Sequence, residues 1–227
     1  MSPTKMVAKV VFETSLSKHL GYKGNGSQRL EQKMTNQFPS TEIILASNSP
    51  RRQQFLKDIG LSFRVQTFDV DEVFPANLKG AEIPNYLVGL KAHSFMNLKP
   101  NQLVITADTT VWSNESYLGK PKDETQAKQM LQQLSGSSHE VITSVAFTQA
   151  HQQTIINEIS TVYFKELDRT EIDYYVATYQ PYDKAGGYGI QEWIGTIGIE
   201  KIEGSYTNIV GLPVAQVLTT LKKILTP

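Results

Sequence analysis

The stretch EIILASNSPRRQQFLKDIG, residues 42–60, predicts a β-strand that leads directly into an α-helix. Its apolar first residues favour a buried strand, Ser49 is a helix-capping residue type, and Pro50 suits the first helical turn. Gly60 is placed to end the helix, because glycine readily adopts the left-handed conformation of a C-terminal cap. Strands and helices continue to alternate along the rest of the chain, which predicts a mixed α/β fold.

The later part of the sequence adds an antiparallel portion to this pattern. Two strands with alternating apolar and polar residues flank the polar turn AHQQ, which predicts a hairpin or meander. Asp123 is expected to cap a helix that ends before Gly136. The other expected elements are a strand over 62–68, a helix over 84–98, a strand over 103–112, a short helix from Thr170, a glycine-containing loop over 180–191 and a C-terminal helix with Pro213 near its first turn.

The composition is that of an ordinary globular protein and excludes several classes of function. The chain has 227 residues, 22 of them basic and 22 acidic, so no global charge attracts nucleic acid. It contains no cysteine, which excludes disulfides and thiolate metal sites, and no apolar run of the roughly 20 residues that span a bilayer. We therefore expect a cytoplasmic protein whose partners are neither nucleic acid nor membrane.

Residues 1–40 differ from the rest of the sequence, and we expect them to form a flexible N-terminal extension. They hold six lysine or arginine residues against two glutamates, with the glycine-containing stretch GYKGNGSQ in the middle. Two other interpretations stay open. A basic, acid-poor leader is also typical of organelle-targeting peptides, and translation that starts at Met34 would remove most of the segment.

Two adjacent arginines, Arg51 and Arg52, open the predicted helix at the end where the macrodipole already places partial positive charge. Arg52 also falls on the helix face that carries Phe55, Leu56 and Ile59, where an unpaired charge is costly. Two explanations are open. Either a carboxylate forms a structural ion pair with Arg52, or backbone N–H groups, serine hydroxyls and the arginines together bind a phosphate.

Lys91 is a further cation in an apolar setting, at the centre of the helical stripe formed by Leu87, Leu90, Phe95 and Leu98. A lysine in this place either extends to solvent along the helix or points into a cleft, where it neutralises phosphate. The sequence leaves both alternatives open.

Asp108 ends the apolar stretch LVITAD, and a carboxylate there suits metal binding or proton abstraction, although aspartate is also common in turns. Lys120 and Lys184 lie in predicted loops, where lysine usually contacts only solvent. The glycines of AGGYG allow close approach of the backbone to a ligand, but their spacing matches neither the Rossmann nor the Walker motif. Together these residues predict a polyphosphate site with a divalent metal.

From about residue 42 to residue 220 the sequence resembles the Maf family of nucleoside triphosphate pyrophosphatases. The resemblance is carried by six blocks in order: LASNSPRRQQFL, DVDE, GLKA, ADTTV with LGKP, LSGSSHEVITSV, and DKAGGYGIQ continuing to IEGSYTNIVGLP. It implies that residues 41–227 form an elongated, two-lobed α/β domain of the Maf and ITPase type, with a central cleft. It also implies an enzyme that cleaves the α–β phosphoanhydride of a nucleotide to give the monophosphate and pyrophosphate.

The resemblance assigns a role to each of the unusual residues. It implies that Asp108 accepts the proton of the attacking water and, with Glu72, binds a divalent cation, Mg²⁺ or Mn²⁺. The residues that it places against the phosphates are Ser47, Arg52, Lys91, Lys120 and Lys184. The surrounding cations are expected to lower the pKa of Asp108, which keeps its carboxylate ionised at neutral pH.

Three positions separate the subgroups of this family. The subgroup for dTTP and UTP has arginine, threonine and glutamine where this chain has Arg51, Thr109 and Gln191. The 7-methyl-GTP subgroup has tryptophan, glutamine and glutamate, and an aromatic ring suits stacking on a cationic purine. An amide such as Gln191 can pair with the donor–acceptor edge of uracil or thymine. The resemblance therefore implies a dTTP and UTP pyrophosphatase, with a homodimer as one possible assembly. A 7-methyl-GTP pyrophosphatase and a non-enzymatic cell-division regulator are the alternatives.

Overall fold

The computed structural model describes residues 38–95 and 97–226. The predicted N-terminal extension therefore lies outside the described residues except for its last three positions. Phe38, the first of these, packs against one of the hydrophobic clusters of the domain.

The described part of the chain forms one mixed β-sheet of seven strands. Their bounds are β1 Glu42–Leu45, β2 Arg64–Val65, β3 Gln102–Ser113, β4 Ser116–Leu118, β5 Ser138–Thr148, β6 Gln153–Phe164 and β7 Ile199–Glu203. The strand order is β2-β1-β3-β5-β6-β7, and β4 also pairs with β3. β1 is parallel to β2 and β3, whereas all the other pairs are antiparallel. The predicted hairpin is the pair β5–β6.

Seven α-helices accompany the sheet in the described residues. They are α1 Pro50–Asp58, α2 Glu82–His93, α3 Glu124–Leu134, α4 Arg169–Tyr179, α5 Trp193–Gly198, α6 Tyr206–Val210 and α7 Val214–Leu225. The predicted mixed α/β class is confirmed, and so are the predicted C-terminal end of α1 and the predicted cap of α3. Gly60 has a φ of 72° directly after α1, and the Asp123 side chain accepts a hydrogen bond from the Gln126 N–H at 2.8 Å.

Two of the predicted elements have the wrong length. The strand expected over 62–68 is only β2, an exposed two-residue edge strand, because it has β1 as its single partner. The helix expected over 84–98 is α2, which begins earlier and ends at His93. Phe95 therefore leaves the helix and packs edge-on against Phe68, with ring centroids 4.9 Å apart. The elements β4, β7, α5 and α6 were not predicted, since each is too short to show a periodic pattern.

Two hydrophobic clusters divide the domain into two lobes, as the resemblance implied. One cluster joins α1 and α7 to β1 and the first half of β3, around Leu56, Leu103 and Val217. The other joins α3 and α4 to the far ends of β3, β5 and β6, around Leu131 and Tyr175. β3 contributes residues to both clusters and so runs from one lobe into the other.

The middle of β3 has an open edge between the two lobes. β1 pairs with β3 only as far as Ile105, and β4 pairs with it only from Val111 onward. Among the described strands, residues 106–110 of β3 therefore pair with β5 alone. A cleft of about 620 Å³ lies along this open edge and is lined by residues of both clusters.

No helix in the described residues combines the length and the apolar character that a bilayer span requires.

Asn208 of α6 ties three elements together from a fully buried position. Its side-chain amide donates to the Val141 carbonyl at 3.0 Å and to the Ser160 hydroxyl at 2.9 Å. Its backbone carbonyl accepts the Thr143 hydroxyl at 3.1 Å. These contacts fix α6, and with it the segment that leads to Gly211, against β5 and β6.

We expect Asn208→Ala to destabilise the protein, because it removes a hydrogen-bond donor from the buried Val141 carbonyl and one of the two donors to the buried Ser160 hydroxyl. The expected loss is about 2 kcal/mol in the free energy of unfolding, or roughly 4–8 °C in Tm. Thermal unfolding followed by circular dichroism measures it. Asn101→Ala, at an exposed turn position, is the matched control. An equally small change in Tm for both variants would contradict the structural role of Asn208.

Candidate active site

One wall of the cleft is the turn from β1 into α1. Ser49 caps the helix by accepting a hydrogen bond from the Arg52 N–H, and Pro50 occupies its first turn. Ser47, Ser49 and both arginines line the cleft. The first turn of a helix has N–H groups without an intrahelical acceptor, so this end of α1 favours an anion.

The guanidinium of Arg52 is held by three oxygen atoms that carry no formal charge. Its Nε donates to the Gly211 carbonyl at 2.8 Å, and its two terminal nitrogens donate to the Thr109 and Ser47 hydroxyls at 3.0 and 3.4 Å. Within the described residues no carboxylate lies at ion-pair distance from it. Burial lowers the pKa of Arg52, although arginine stays charged. The structural ion pair is therefore not found, which favours a bound anion.

Lys91 lies between two carboxylates. Its Nζ is 2.6 Å from Asp108 Oδ1 and 2.9 Å from Glu72 Oε1, and only 16% of its side chain is exposed. The last turn of α2 carries Lys91, and the Thr106 hydroxyl fixes this helix on β3 by donating to the Val88 carbonyl at 2.9 Å. The sequence left open whether Lys91 extends to solvent or points into a cleft, and the structure shows that it points into the cleft.

The two carboxylates beside Lys91 have pKa values that shift in opposite directions. Burial raises the pKa of Asp108, and the nearby cations Lys91 and Arg52 only partly oppose this shift. Burial also acts on Glu72, but the combined effect of Lys91, Lys120 and Arg52 outweighs it, so the pKa of Glu72 is lowered. The expectation that cations lower the pKa of Asp108 is therefore wrong, because desolvation dominates. Opposite pKa shifts in two neighbouring carboxylates are typical of active sites in which the two groups have different catalytic roles.

Thr109 contacts Arg52 and Thr143 through its hydroxyl. Its Oγ1 lies 2.9 Å from the Thr143 hydroxyl, which itself donates to the Asn208 carbonyl at 3.1 Å. Because each hydroxyl has one proton, Thr109 donates to Thr143 and accepts from Arg52. The hydroxyl proton of Thr109 is therefore already used in a hydrogen bond within the protein.

The other wall of the cleft is the loop that follows α4. Asp183 pairs with two cations there, with Lys184 Nζ at 2.6 Å and with Arg51 Nη1 at 3.1 Å. Gly186 has a φ of 72°, and a Cβ on it would lie 3.0 Å from Val111, so this position requires glycine. Its N–H donates to the Gly119 carbonyl at 3.0 Å, which joins the loop to the segment that carries Lys120.

All ten residues that the sequence singled out line this one cleft. They are Ser47, Arg51, Arg52, Glu72, Lys91, Asp108, Thr109, Lys120, Lys184 and Gln191. Lys120 and Gln191 are exposed at its mouth. The sequence reasoning missed other lining residues, among them Asp183, Phe68 and Tyr117. Asp183 had a signal, its position beside Lys184 in a family block, whereas Phe68 in the strand predicted over 62–68 and Tyr117 before LGKP carry no charge that marks them as site residues.

The cleft fits a metal ion only in part. The described residues contain no group of three or more histidine, cysteine or acidic side chains that could enclose a metal. Glu72 and Asp108 do lie close to a common point, since both contact the Lys91 ammonium. Mg²⁺ often binds through one or two carboxylates together with waters and substrate phosphates, so this pair suits an ion that arrives with its substrate.

We expect Asp108→Asn to gain thermal stability relative to the wild type as the pH rises. The folded state raises the pKa of Asp108, so it binds the proton more tightly than the unfolded state does. That stabilisation is present at low pH and is lost as pH rises through the folded pKa, whereas the asparagine variant does not titrate. The difference in Tm should therefore grow from acidic to neutral pH, measured by calorimetry in buffer with EDTA.

Asp58→Asn, at the exposed end of α1, controls for the loss of one negative charge from the whole protein. A difference in Tm between Asp108→Asn and the wild type that shrinks with rising pH would contradict the burial argument.

Comparison with known proteins finds relatives that match most of this chain. A relative from Christiangramia forsetii, named dTTP/UTP pyrophosphatase, is 54% identical over 81% of this chain and 94% of its own length. Relatives of the same name from Flavobacterium johnsoniae and Bacteroides thetaiotaomicron are 50% and 47% identical, over 79% and 84% of this chain and 95% and 100% of their own. The Ham1 structure from Staphylococcus aureus has a TM-score of only 0.39 and 15% identity, over 55% of this chain and 72% of that one, and supports no conclusion.

The family model described as Maf-like protein matches residues 42–224. That match covers most of the chain and confirms the resemblance read from the six sequence blocks. The chain belongs to the Maf family.

Proposed function

We propose that this protein is a nucleotide pyrophosphatase that hydrolyses dTTP and UTP to the monophosphate and pyrophosphate. The observation that carries the proposal is one cleft that is lined by five basic side chains and by the buried carboxylate of Asp108. Relatives at 54% and 50% identity are named dTTP/UTP pyrophosphatase, which supports the same substrates.

A triphosphate is a polyanion, and the cleft by itself carries little net charge. Its lining has the five basic side chains and four carboxylates, those of Asp69, Glu72, Asp108 and Asp183. Most of the substrate's charge would therefore stay uncompensated, and a divalent cation, Mg²⁺ or Mn²⁺, is part of the proposal. When bound, such an ion neutralises phosphate oxygens and polarises the phosphorus. Glu72 and Asp108 are the proposed ligands, because divalent cations of this type prefer carboxylate oxygen.

Asp108 is the proposed proton acceptor. Water attacks one phosphorus of the α–β bridge, the bond from that phosphorus to the bridging oxygen breaks, and the bridging oxygen leaves with the electron pair. The proton of the water passes to Asp108, whose raised pKa makes it a stronger base than an exposed aspartate. Protonation also weakens the contact between Asp108 and Lys91, so the ammonium can turn to the charge that develops on the phosphates.

The remaining phosphate contacts are proposed for Ser47, Arg52, Lys120 and Lys184. Arg52 is supported best, because its position is fixed by three hydrogen bonds and no carboxylate of the described chain neutralises it. The planar guanidinium suits a phosphate group, and the N-terminus of α1 adds partial positive charge on the same wall.

The base is proposed to lie between Arg51 and Gln191, at the mouth of the cleft. Gln191 is exposed and its amide can pair with the donor–acceptor edge of uracil or thymine. Thr109 remains a predicted specificity residue, although its hydroxyl donor is engaged with Thr143. The 7-methyl-GTP alternative has less support, since a tryptophan and a glutamate would replace Arg51 and Gln191. A non-enzymatic regulator would not explain the buried carboxylate among cations.

Three expectations remain predictions from the sequence. They are a cytoplasmic location, an action that involves neither nucleic acid nor membrane, and a homodimer.

The proposal is tested by incubating the full chain with a panel of nucleoside triphosphates and Mg²⁺ and identifying the products. We expect monophosphate and pyrophosphate from dTTP and UTP, and slower turnover of 7-methyl-GTP. Asp108→Asn should lower kcat by about 10² to 10⁴, the usual effect of removing a general base, while nucleotide binding is retained. Orthophosphate with a diphosphate as the products, or a near-normal kcat for Asp108→Asn, would contradict the proposed chemistry.

We expect Gln191→Glu to weaken hydrolysis of dTTP and UTP selectively, because a carboxylate cannot donate a hydrogen bond to a pyrimidine carbonyl. The expected loss is roughly 5- to 150-fold in kcat/KM, the effect of one polar group of the bound base left without its hydrogen bond. Gln132→Glu, an exposed position on α3, controls for the added charge. An equal loss for every nucleotide of the panel would show that Gln191 supports the loop and does not contact the base.

A further inference from the structure

The loop that carries Lys184 is hydrogen-bonded to a fully buried tyrosine. Tyr175 of α4 is 0% exposed, and its hydroxyl accepts the N–H of Gly189 at 2.9 Å. The same hydroxyl makes a short contact with Glu192 Oε2. A phenol has a single proton, so Tyr175 donates to Glu192 while it accepts from the loop backbone. Burial, followed by the nearby Glu192, raises the pKa of Tyr175, which keeps this proton in place.

The second oxygen of Glu192 contacts the proposed phosphate ligand. Glu192 Oε1 lies 3.1 Å from Lys184 Nζ, and the two side chains are only 18% and 11% exposed. Asp183, the other partner of Lys184, is 61% exposed and shared with Arg51. Glu192 is therefore the less solvated of the two carboxylates, and only it connects Lys184 to the core of the lobe.

The backbone of the loop closes directly over this pair. The Glu192 N–H donates to the Gly189 carbonyl at 3.0 Å, which forms a tight turn. A Cβ on Gly189 would lie 2.8 Å from the Glu192 carboxyl carbon and 3.0 Å from Lys184 Cε. The Glu192 and Lys184 side chains therefore both lie against the Cα of Gly189, in space that a side chain at this position would occupy.

We propose that Glu192 is a positioning residue: held by Tyr175, it fixes the Lys184 ammonium in the place where the triphosphate binds. The proposal rests on the proposed function of the cleft and adds a residue that is not among its phosphate or base contacts. Glu192 acts through Lys184, so its removal should weaken binding of the phosphates without changing the preference between bases.

The test is a double-mutant cycle on hydrolysis of UTP with the variants Glu192→Ala, Lys184→Ala and the pair. We expect Glu192→Ala to raise KM about tenfold with little change in kcat, because it frees a long cationic side chain from a fixed position. In the Lys184→Ala background the same change should raise KM less than about twofold. The ratio of dTTP to UTP hydrolysis should stay that of the wild type.

Tyr175→Phe and Tyr179→Phe form a matched pair on α4. The two rings stack with centroids 5.1 Å apart, but only the Tyr175 hydroxyl has a hydrogen bond within the described residues. Tyr175→Phe should raise KM in the same sense as Glu192→Ala, and Tyr179→Phe should not. If Glu192→Ala fails to fold, Glu192→Gln replaces it in the double-mutant cycle, since glutamine keeps the size of the side chain and one hydrogen-bond acceptor.

Equal effects of Glu192→Ala with and without Lys184 would overturn the proposal, as would an effect on kcat alone. A wild-type protein that hydrolyses no nucleotide would refute the proposed function instead. In that case the same cycle, measured as the Kd of UTP by calorimetry, still decides whether Glu192 acts through Lys184.

Discussion

A single constraint on β3 organises this molecule: its central residues have a strand partner on one side only. β1 ends too early and β4 begins too late to cover them, so residues 106–110 border a cleft between two hydrophobic clusters. Unpaired backbone groups in such a place must face solvent or a ligand. Side chains from both lobes therefore meet at this edge, and Asp108 stands at its centre.

Most of the charges around this edge are paired with one another. Lys91 of α2 bridges Glu72 and Asp108, while Asp183 joins Arg51 of α1 to Lys184 of the opposite loop. Arg52, by contrast, is held by neutral oxygen atoms. Lys120 also has no carboxylate at ion-pair distance among the described residues. A polyanionic ligand would thus meet two cations that are already available, Arg52 and Lys120, and three that exchange a carboxylate for a phosphate.

The sequence predicted which residues line the cleft far better than it predicted their contacts and pKa shifts. Arg52 and Lys91 stood out because a charge on an apolar helix face is costly, and both point into the cleft. The strand–helix turn at residues 42–60 and its caps also followed from local chemistry. The direction of the pKa shift of Asp108 did not, because it depends on burial by segments that are distant in the chain.

Long-range contacts explain the other features of the structure that the sequence did not predict. Arg51 and Asp183 are 132 residues apart, and no local pattern indicates that they pair. Glu192 reads as the polar start of a short helix, and its contacts with Tyr175 and Lys184 appear only when α4 and the loop are packed together. The short elements β4, β7, α5 and α6 likewise exist through tertiary contacts and not through periodicity.

The open edge of β3 also sets which parts of the cleft can vary during evolution. Its N–H and C=O groups belong to the backbone, so they persist whichever side chains occupy residues 106–110. Gly186 is the opposite case, since its φ of 72° and the Val111 side chain, which would lie 3.0 Å from any Cβ there, exclude other residues. The polar backbone groups of this edge therefore do not depend on side-chain identity, whereas the fold of the glycine loop does, and drift in substrate preference is expected to enter through exposed side chains of the cleft such as Gln191.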